Sequence, residues 1–272
     1  MPVSPEDRLS LIEHLDELRK RLFWSIVAVS VGVIVAAVFS GFVFEALLWP
    51  LRQVKGLPET AYQITTFSPA EPFMVSLKVW MYASLIFATP FLIYQFWAFV
   101  GPAFSPKEKK YFVPVVAACT LLFLFGVTFG YLLVLPKGLS WLFGFNSQFF
   151  NVQARAADYF SFVALFLLVF GLVFELPVII VLSVTLGIVD IAFLRKYRRH
   201  AILINAIIAA VATPSQDAFS MIAMLIPLLI LYEASIWVAK FVTRKKGSED
   251  AESERNNDDK PSDDSDLSGA PA

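Results

Sequence analysis

Residues Val113 to Leu135 read VPVVAACTLLFLFGVTFGYLLVL, an apolar run with no Asp, Glu, Lys, Arg or His in it, placed directly after the basic cluster Lys107, Lys109 and Lys110. A helix of that length crosses the roughly 30 Å of a bilayer's hydrocarbon core. Five other stretches have the same character: Leu22–Phe44, Val75–Phe99, Tyr159–Leu186, Ala201–Ala212 and Phe219–Val238. The 272-residue chain is 57% hydrophobic and only 17% charged, against roughly 45 to 50% apolar in a soluble domain. The alternating pattern of an outer-membrane barrel is absent. Since backbone groups in lipid must be satisfied within the segment, the expectation is an all-α integral membrane protein with six transmembrane helices.

Orientation follows from basic residues near the span ends, because short loops rich in Lys and Arg stay in the cytoplasm. Arg8, Arg19, Lys20 and Arg21 precede the first span; Lys107, Lys109 and Lys110 fill the second gap. Arg195, Lys196, Arg198 and Arg199 fill the fourth, and Lys240, Arg244, Lys245 and Lys246 follow the last span. The alternate gaps hold only Arg52 with Lys55, Lys137 with Arg155, and no basic residue in the turn Thr213 to Asp217. Both termini are therefore expected in the cytoplasm, with the chain multi-pass in the cell membrane.

Three regions result: a cytoplasmic amphipathic segment 1–21, a six-helix domain 22–246, and an acidic tail 247–272 expected to be disordered. Glu13, Asp16 and Glu17 run into Arg19 to Arg21 with no cleavage-site pattern, so the start is not a cleavable signal. Cys119 is the sole cysteine, which excludes disulfides and Cys-based metal sites within one chain. The first external loop, Trp49-Pro50 to Pro72-Phe73, is rich in Pro and aromatics, and Leu57-Pro58-Glu59 reads as the start of a short surface helix. Trp49, Trp141 and Phe149-Phe150 suit the outer interface.

Helix five, Ala201–Ala212, reaches only about 18 Å, and Glu233 interrupts helix six near its cytoplasmic end. Both are therefore short, accommodated by local bilayer thinning or by extension through Arg198 to His200. Pro90 and Pro177 lie inside spans and are expected to bend them. Just before Pro177 stands Glu175, a carboxyl group near the middle of the fourth helix. An ionised group there costs at least about 2.5 to 3.5 kcal/mol, which makes it a functional candidate; the alternative is a protonated side chain bonded to a neighbouring helix.

Two cytoplasmic acids also stand out. Glu17 and Arg21, like Asp16 and Lys20, are four residues apart, spacing that supports a helix by about 0.2 to 0.5 kcal/mol per pair. Glu108 is a lone acid among Lys107, Lys109 and Lys110 and could mark a helix start after Pro106. Gly126 and Gly130 form a small-xxx-small pair suited to close helix packing. The two histidines, His14 and His200, lie in basic segments and build no catalytic set, so no catalytic residue, metal, cofactor or nucleic-acid partner is expected. A proton-coupled secondary transporter using Glu175 as proton carrier is the competing reading, weakened by the lack of repeated halves.

Five ordered segments carry a resemblance: His14-Leu15-Asp16-Glu17-Leu18-Arg19-Lys20-Arg21, Phe67-Ser68-Pro69-Ala70-Glu71-Pro72-Phe73, Tyr94-Gln95-Phe96-Trp97-Ala98-Phe99-Val100-Gly101-Pro102, Phe174-Glu175-Leu176-Pro177 and Thr213-Pro214. From about Leu11 to Val242 the chain resembles the TatC family, the multispanning receptor of the twin-arginine protein translocase. The resemblance implies a receptor for twin-arginine signal peptides of folded cargo. It would recruit single-span TatA-type and TatB-type subunits, self-associate in a larger complex and use the proton motive force. It also implies that Glu17 and Glu108 meet the arginine pair, with Arg19 and Phe99 in the same patch. Glu175 would face a partner helix's polar residue, and Thr213 and Asp217 would form the polar end of helix five and the turn after it. Here the chain departs from the family's usual Thr-Pro-Pro-Asp, because Gln216 lengthens that turn and Met221 follows Ser220.

Overall fold

The structure, a computed structural model, describes residues 5–54, 64–100, 112–145, 149, 153–212 and 218–258, without the side chains of 5–12, 212, 219–220 and 244–258. Ten α-helices occur among them: α1 Pro5–Val38, α2 Ser40–Arg52, α3 Glu71–Val100, α4 Phe112–Phe129, α5 Leu135–Gly144, α6 Ala156–Val173, α7 Leu176–Thr185, α8 Ile191–Lys196, α9 Arg198–Ala212 and α10 Ala218–Asp258. The fold is all-helical and multi-pass. Five described stretches are long and apolar enough to cross a membrane: Glu13–Val38, Glu71–Val100, Phe112–Gly144, Ala156–Thr185 and Met221–Thr243. The expected fifth span lies in α9, whose 15 residues reach about 22 Å. It does start at Arg198, ahead of the apolar run, yet stays short of the hydrocarbon thickness.

Two boundaries differ from the sequence-based expectation. The segment 1–21 and the first span share the single helix α1, which breaks at Phe39 (φ −94°, ψ 26°) rather than continuing to Phe44. The break redirects α2, so that Val43, Leu47 and Leu51 bury in the core while much of α1 keeps its apolar side chains exposed for lipid. At the other end α10 continues through Gly247 to Asp258, into the tail expected to be disordered. Residues 259–272 and the Leu57-Pro58-Glu59 helix start lie outside the described residues.

Prolines place several local features. Pro50, inside α2, has no N–H for the Ala46 carbonyl one turn back; the Tyr131 hydroxyl donates to that oxygen instead, at 2.7 Å. Tyr159 donates to the next carbonyl, Leu47, at 2.8 Å. Pro136 follows directly on a π-helical turn, Gly130–Val134, inside the continuous helical stretch Phe112–Gly144; the widened turn lies where the proline lacks a donor to the preceding turn. Pro177 sits in the first turn of α7, and the helix breaks at Phe174 and Glu175 just before it. Pro90, by contrast, lies within an unbroken α3.

Close helix crossings depend on small residues. A Cβ at Gly126 would lie 2.7 Å from the Phe174 side chain and 2.9 Å from the Phe170 carbonyl oxygen, and one at Gly171 would lie 2.5 Å from Phe123. α4 and α6 thus lock reciprocally, each offering a glycine to the other's phenylalanine, as the Gly126 and Gly130 spacing anticipates. α1 and α3 meet at Gly32 and Ser84, whose hydroxyl donates to the Val29 carbonyl at 2.6 Å. α7 ends in a Schellman turn: Ile188 N–H donates to Ser183 O at 2.9 Å and Gly187 N–H to Val184 O at 3.0 Å, with Gly187 at φ 73°.

The bundle end remote from Glu17 is tied by one buried acid. Glu71, 6% exposed, accepts from Arg155 Nε at 2.9 Å and Nη2 at 3.3 Å, Phe67 N–H at 3.0 Å and Ala157 N–H at 3.2 Å. This carboxylate holds the Arg155 guanidinium above its ordinary pKa. Beside it, Thr65 and Arg155 form an isolated parallel bridge, with Thr65 N–H on Ala154 O at 3.0 Å and Ala156 N–H on Thr65 O at 2.8 Å. Arg155 also lies over the Phe67 ring at 5.5 Å.

Candidate functional site

Antiparallel packing of α1 on the end of α3 builds the first site. His14 stacks on Phe99 with ring centroids 4.4 Å apart, and about two turns along α1 the Arg21 Nη1 reaches Gln95 Oε1 at 3.4 Å. Glu17 lies between these two contacts on α1. Arg21 donates to Glu17 Oε1 through Nε at 3.0 Å and also through Nη2. The helix-supporting pair expected from spacing is therefore formed at Glu17, whereas Asp16 and Lys20 make no ion pair among the described residues.

An open groove of about 900 Å³ runs past these groups, lined by Glu13, Asp16, Glu17, Arg19, Arg21 and Gln95 among others. Arg19 is exposed on it. Of the expected recognition residues, the structure brings Glu17, Arg19 and Phe99 to one end of the bundle; Glu108 lies outside the described residues. Gln95 enters the site although its sequence position, one residue in an aromatic motif, carries no charge or spacing signal.

The second site lies inside the bundle. Glu175 is half-buried in the break between α6 and α7, and its Oε1 is buried with no hydrogen-bond partner among the described residues. The Cys119 thiol of α4 sits beside its carboxyl group, and Trp97 of α3 donates its Nε1–H to Cys119 Sγ at 3.2 Å. Ser161 Oγ and Asn205 Nδ2 are likewise buried without partners. A buried carboxyl oxygen without a donor is costly, and so is a position ready to receive one. Thr213 and Asp217 lie outside the described residues. Among the described residues there is no His, Cys, Asp and Glu cluster able to hold a metal ion.

Glu233, read from sequence as interrupting helix six, is paired. Arg198, at the start of α9, donates to it at 2.8 Å, and Tyr232 donates to the Leu194 carbonyl at 2.9 Å. Together these fasten α10 to the basic segment between α7 and α9.

Comparison with known proteins agrees with this architecture. Residues 13–227 match the family model described as Sec-independent protein translocase protein (TatC). The chain is 40% identical to the Sec-independent protein translocase protein TatC of Desulforapulum autotrophicum over 95% of its length and 96% of the relative's. It is 35% identical to the Escherichia coli protein of the same name, over 89% and 93%. A crystal structure of a twin arginine translocase receptor, TatC, superposes with a TM-score of 0.75 at 36% identity, covering 85% of this chain and 99% of that one. The helical frame, the motifs and these matches together place the chain in the TatC family of Sec-independent protein translocase proteins, a family of translocase components and not of enzymes.

Proposed function

We propose that this protein is the receptor subunit of a twin-arginine translocase, seated in the cytoplasmic membrane with six spans and both termini in the cytoplasm. Glu17 and Glu108 bind the arginine pair of a signal peptide, with Arg19 and Phe99 in the same patch. A guanidinium makes paired, charge-assisted bonds to a carboxylate that an ammonium does not reproduce. The observation that carries this reading is the convergence of Glu17 and Gln95, distant in sequence, on one open groove, with Phe99 held against α1 nearby by its stack on His14. The carboxylate there already holds a guanidinium. The neighbouring basic clusters support a cytoplasmic position for that end.

Glu175, with Thr213 and Asp217, then receives the polar residue of a TatA-type or TatB-type helix, a role supported by its unpartnered oxygen. The assembled complex, which includes further copies of this chain, exports folded cargo using the proton motive force. The test is a titration of arginine-pair and lysine-pair signal peptides against wild type, Glu17→Ala and Glu108→Lys. Charge-assisted bonds in a partly shielded groove are worth about 1.5 to 3 kcal/mol each, so wild type should prefer the arginine pair by at least about tenfold. Glu108→Lys should lose most of that binding and Glu17→Ala part of it. Indifference of wild type to the two peptides, or wild-type binding by both variants, defeats the proposal.

A further inference from the structure

The guanidinium on Glu17 belongs to the protein itself. Arg21 places two nitrogens on Glu17 Oε1 and a third toward Gln95, and the side chains are only 25% and 32% exposed. This is the chemistry a signal-peptide arginine would bring, supplied one helical turn away. Lys20, the adjacent cation, makes no such contact among the described residues. His14 covers Phe99 in the same way, ring on ring. Both recognition side chains are thus occupied from α1 in the free protein.

We infer that Arg21 is a built-in competitor for the receptor carboxylate, occupying Glu17 until an incoming guanidinium replaces it; this rests on Glu17 being a peptide-binding residue. On exchange Arg21 gives up Glu17 and keeps the reach to Gln95, whose amide oxygen then serves as its holding point. Competition of this kind lowers the affinity of every cation for Glu17 by the same factor. It therefore sets a threshold for occupancy and leaves the arginine-to-lysine preference to the geometry of the carboxylate. Weakly bound basic segments fall below the threshold, while a paired arginine that also engages the rest of the groove exceeds it.

The charged groups that line the groove with Glu17, all on α1, are Glu13, Asp16, Arg19, Lys20 and Arg21, so removing any cation raises attraction for a basic peptide in general. The experiment controls for that. Arginine-pair and lysine-pair signal peptides are titrated against the full-length chain in lipid nanodiscs as wild type, Arg21→Gln, Arg21→Lys, Lys20→Gln and Glu17→Ala. A half-shielded ion pair lies between the exposed and buried limits, so Arg21→Gln should bind both peptides roughly threefold to tenfold more tightly, with their ratio unchanged. Arg21→Lys, which keeps the charge but loses the two-nitrogen grip, should show a smaller gain, and Lys20→Gln should gain less than either.

Weaker or unchanged binding in Arg21→Gln would mean that Arg21 supports Glu17 and would overturn the inference. Equal gains in Arg21→Gln and Lys20→Gln would assign the effect to bulk charge and overturn it too. Should Arg21→Gln fail to insert, Arg21→Lys decides: a gain over wild type supports competition and a loss refutes it. Wild-type affinity in Glu17→Ala is a different failure, because it removes Glu17 from the peptide-binding site on which the inference rests.

Discussion

The Tyr131 hydroxyl donates to the Ala46 carbonyl at 2.7 Å, the carbonyl that Pro50 leaves without its helical donor. A side chain 85 positions away thus supplies what the backbone lacks. Tyr131→Phe should lower stability by about 1 to 3 kcal/mol, the cost of an unsatisfied buried acceptor. In a Pro50→Ala background, where residue 50 regains an N–H, the same change should cost clearly less. Thermal unfolding of the four proteins of this double-mutant cycle checks it, and equal losses in both backgrounds would remove the link.

The crossing of α4 and α6 leaves no room for a methyl group. Gly126→Ala and Gly171→Ala should each destabilise by about 1 to 3 kcal/mol, the usual cost of overpacking. Gly144→Ala, where a Cβ meets nothing within 4 Å, should be neutral or slightly stabilising. Melting temperatures in one detergent discriminate the three.

Glu71 anchors Phe67, Arg155 and the first turn of α6 together. Glu71→Ala should open the Thr65 and Arg155 bridge, raising hydrogen exchange at the Thr65 and Ala156 amides by about tenfold or more for a local loss of about 1 to 2 kcal/mol. Amides in the middle of α3, such as that of Val79, should be unchanged. Uniform acceleration along α3 would show that the whole helix depends on the carboxylate.

Glu175→Ala should leave insertion and signal-peptide binding intact while impairing recruitment of the single-span partners. Glu175→Gln, which keeps hydrogen-bonding groups, should be milder. Co-purification of partners alongside peptide titration measures both. A proton carrier would behave otherwise: equal, complete loss of transport in both variants with normal recruitment would favour that role.

In a Cys119→Ser background, single cysteines near Lys109 and Arg198 should react with an impermeant thiol reagent only from the cytoplasmic side. Those near Lys55 and Arg155 should react only from outside. Reversal at either pair would contradict the six-span topology, including the short α9.

Read alone, the sequence determined the membrane character, the helical class and the positions of most spans, and it singled out the acids Glu17 and Glu175. Hydropathy and charge are local properties, summed along a helix's own length, and the lipid reads them residue by residue. The tertiary structure decided the rest. Spacing offered Asp16 with Lys20 as readily as Glu17 with Arg21, and only the approach of α3 with Gln95 distinguishes the pair that forms. Composition marked the first external loop as rich in Pro and aromatics, but Glu71 became an anchor for Phe67 only once Arg155 and Ala157 were folded against it. Cys119 was legible as a lone thiol; its place between Trp97 and Glu175 depends on three segments meeting. Such contacts join residues tens of positions apart, and their geometry is set by how whole helices pack, which no local pattern encodes.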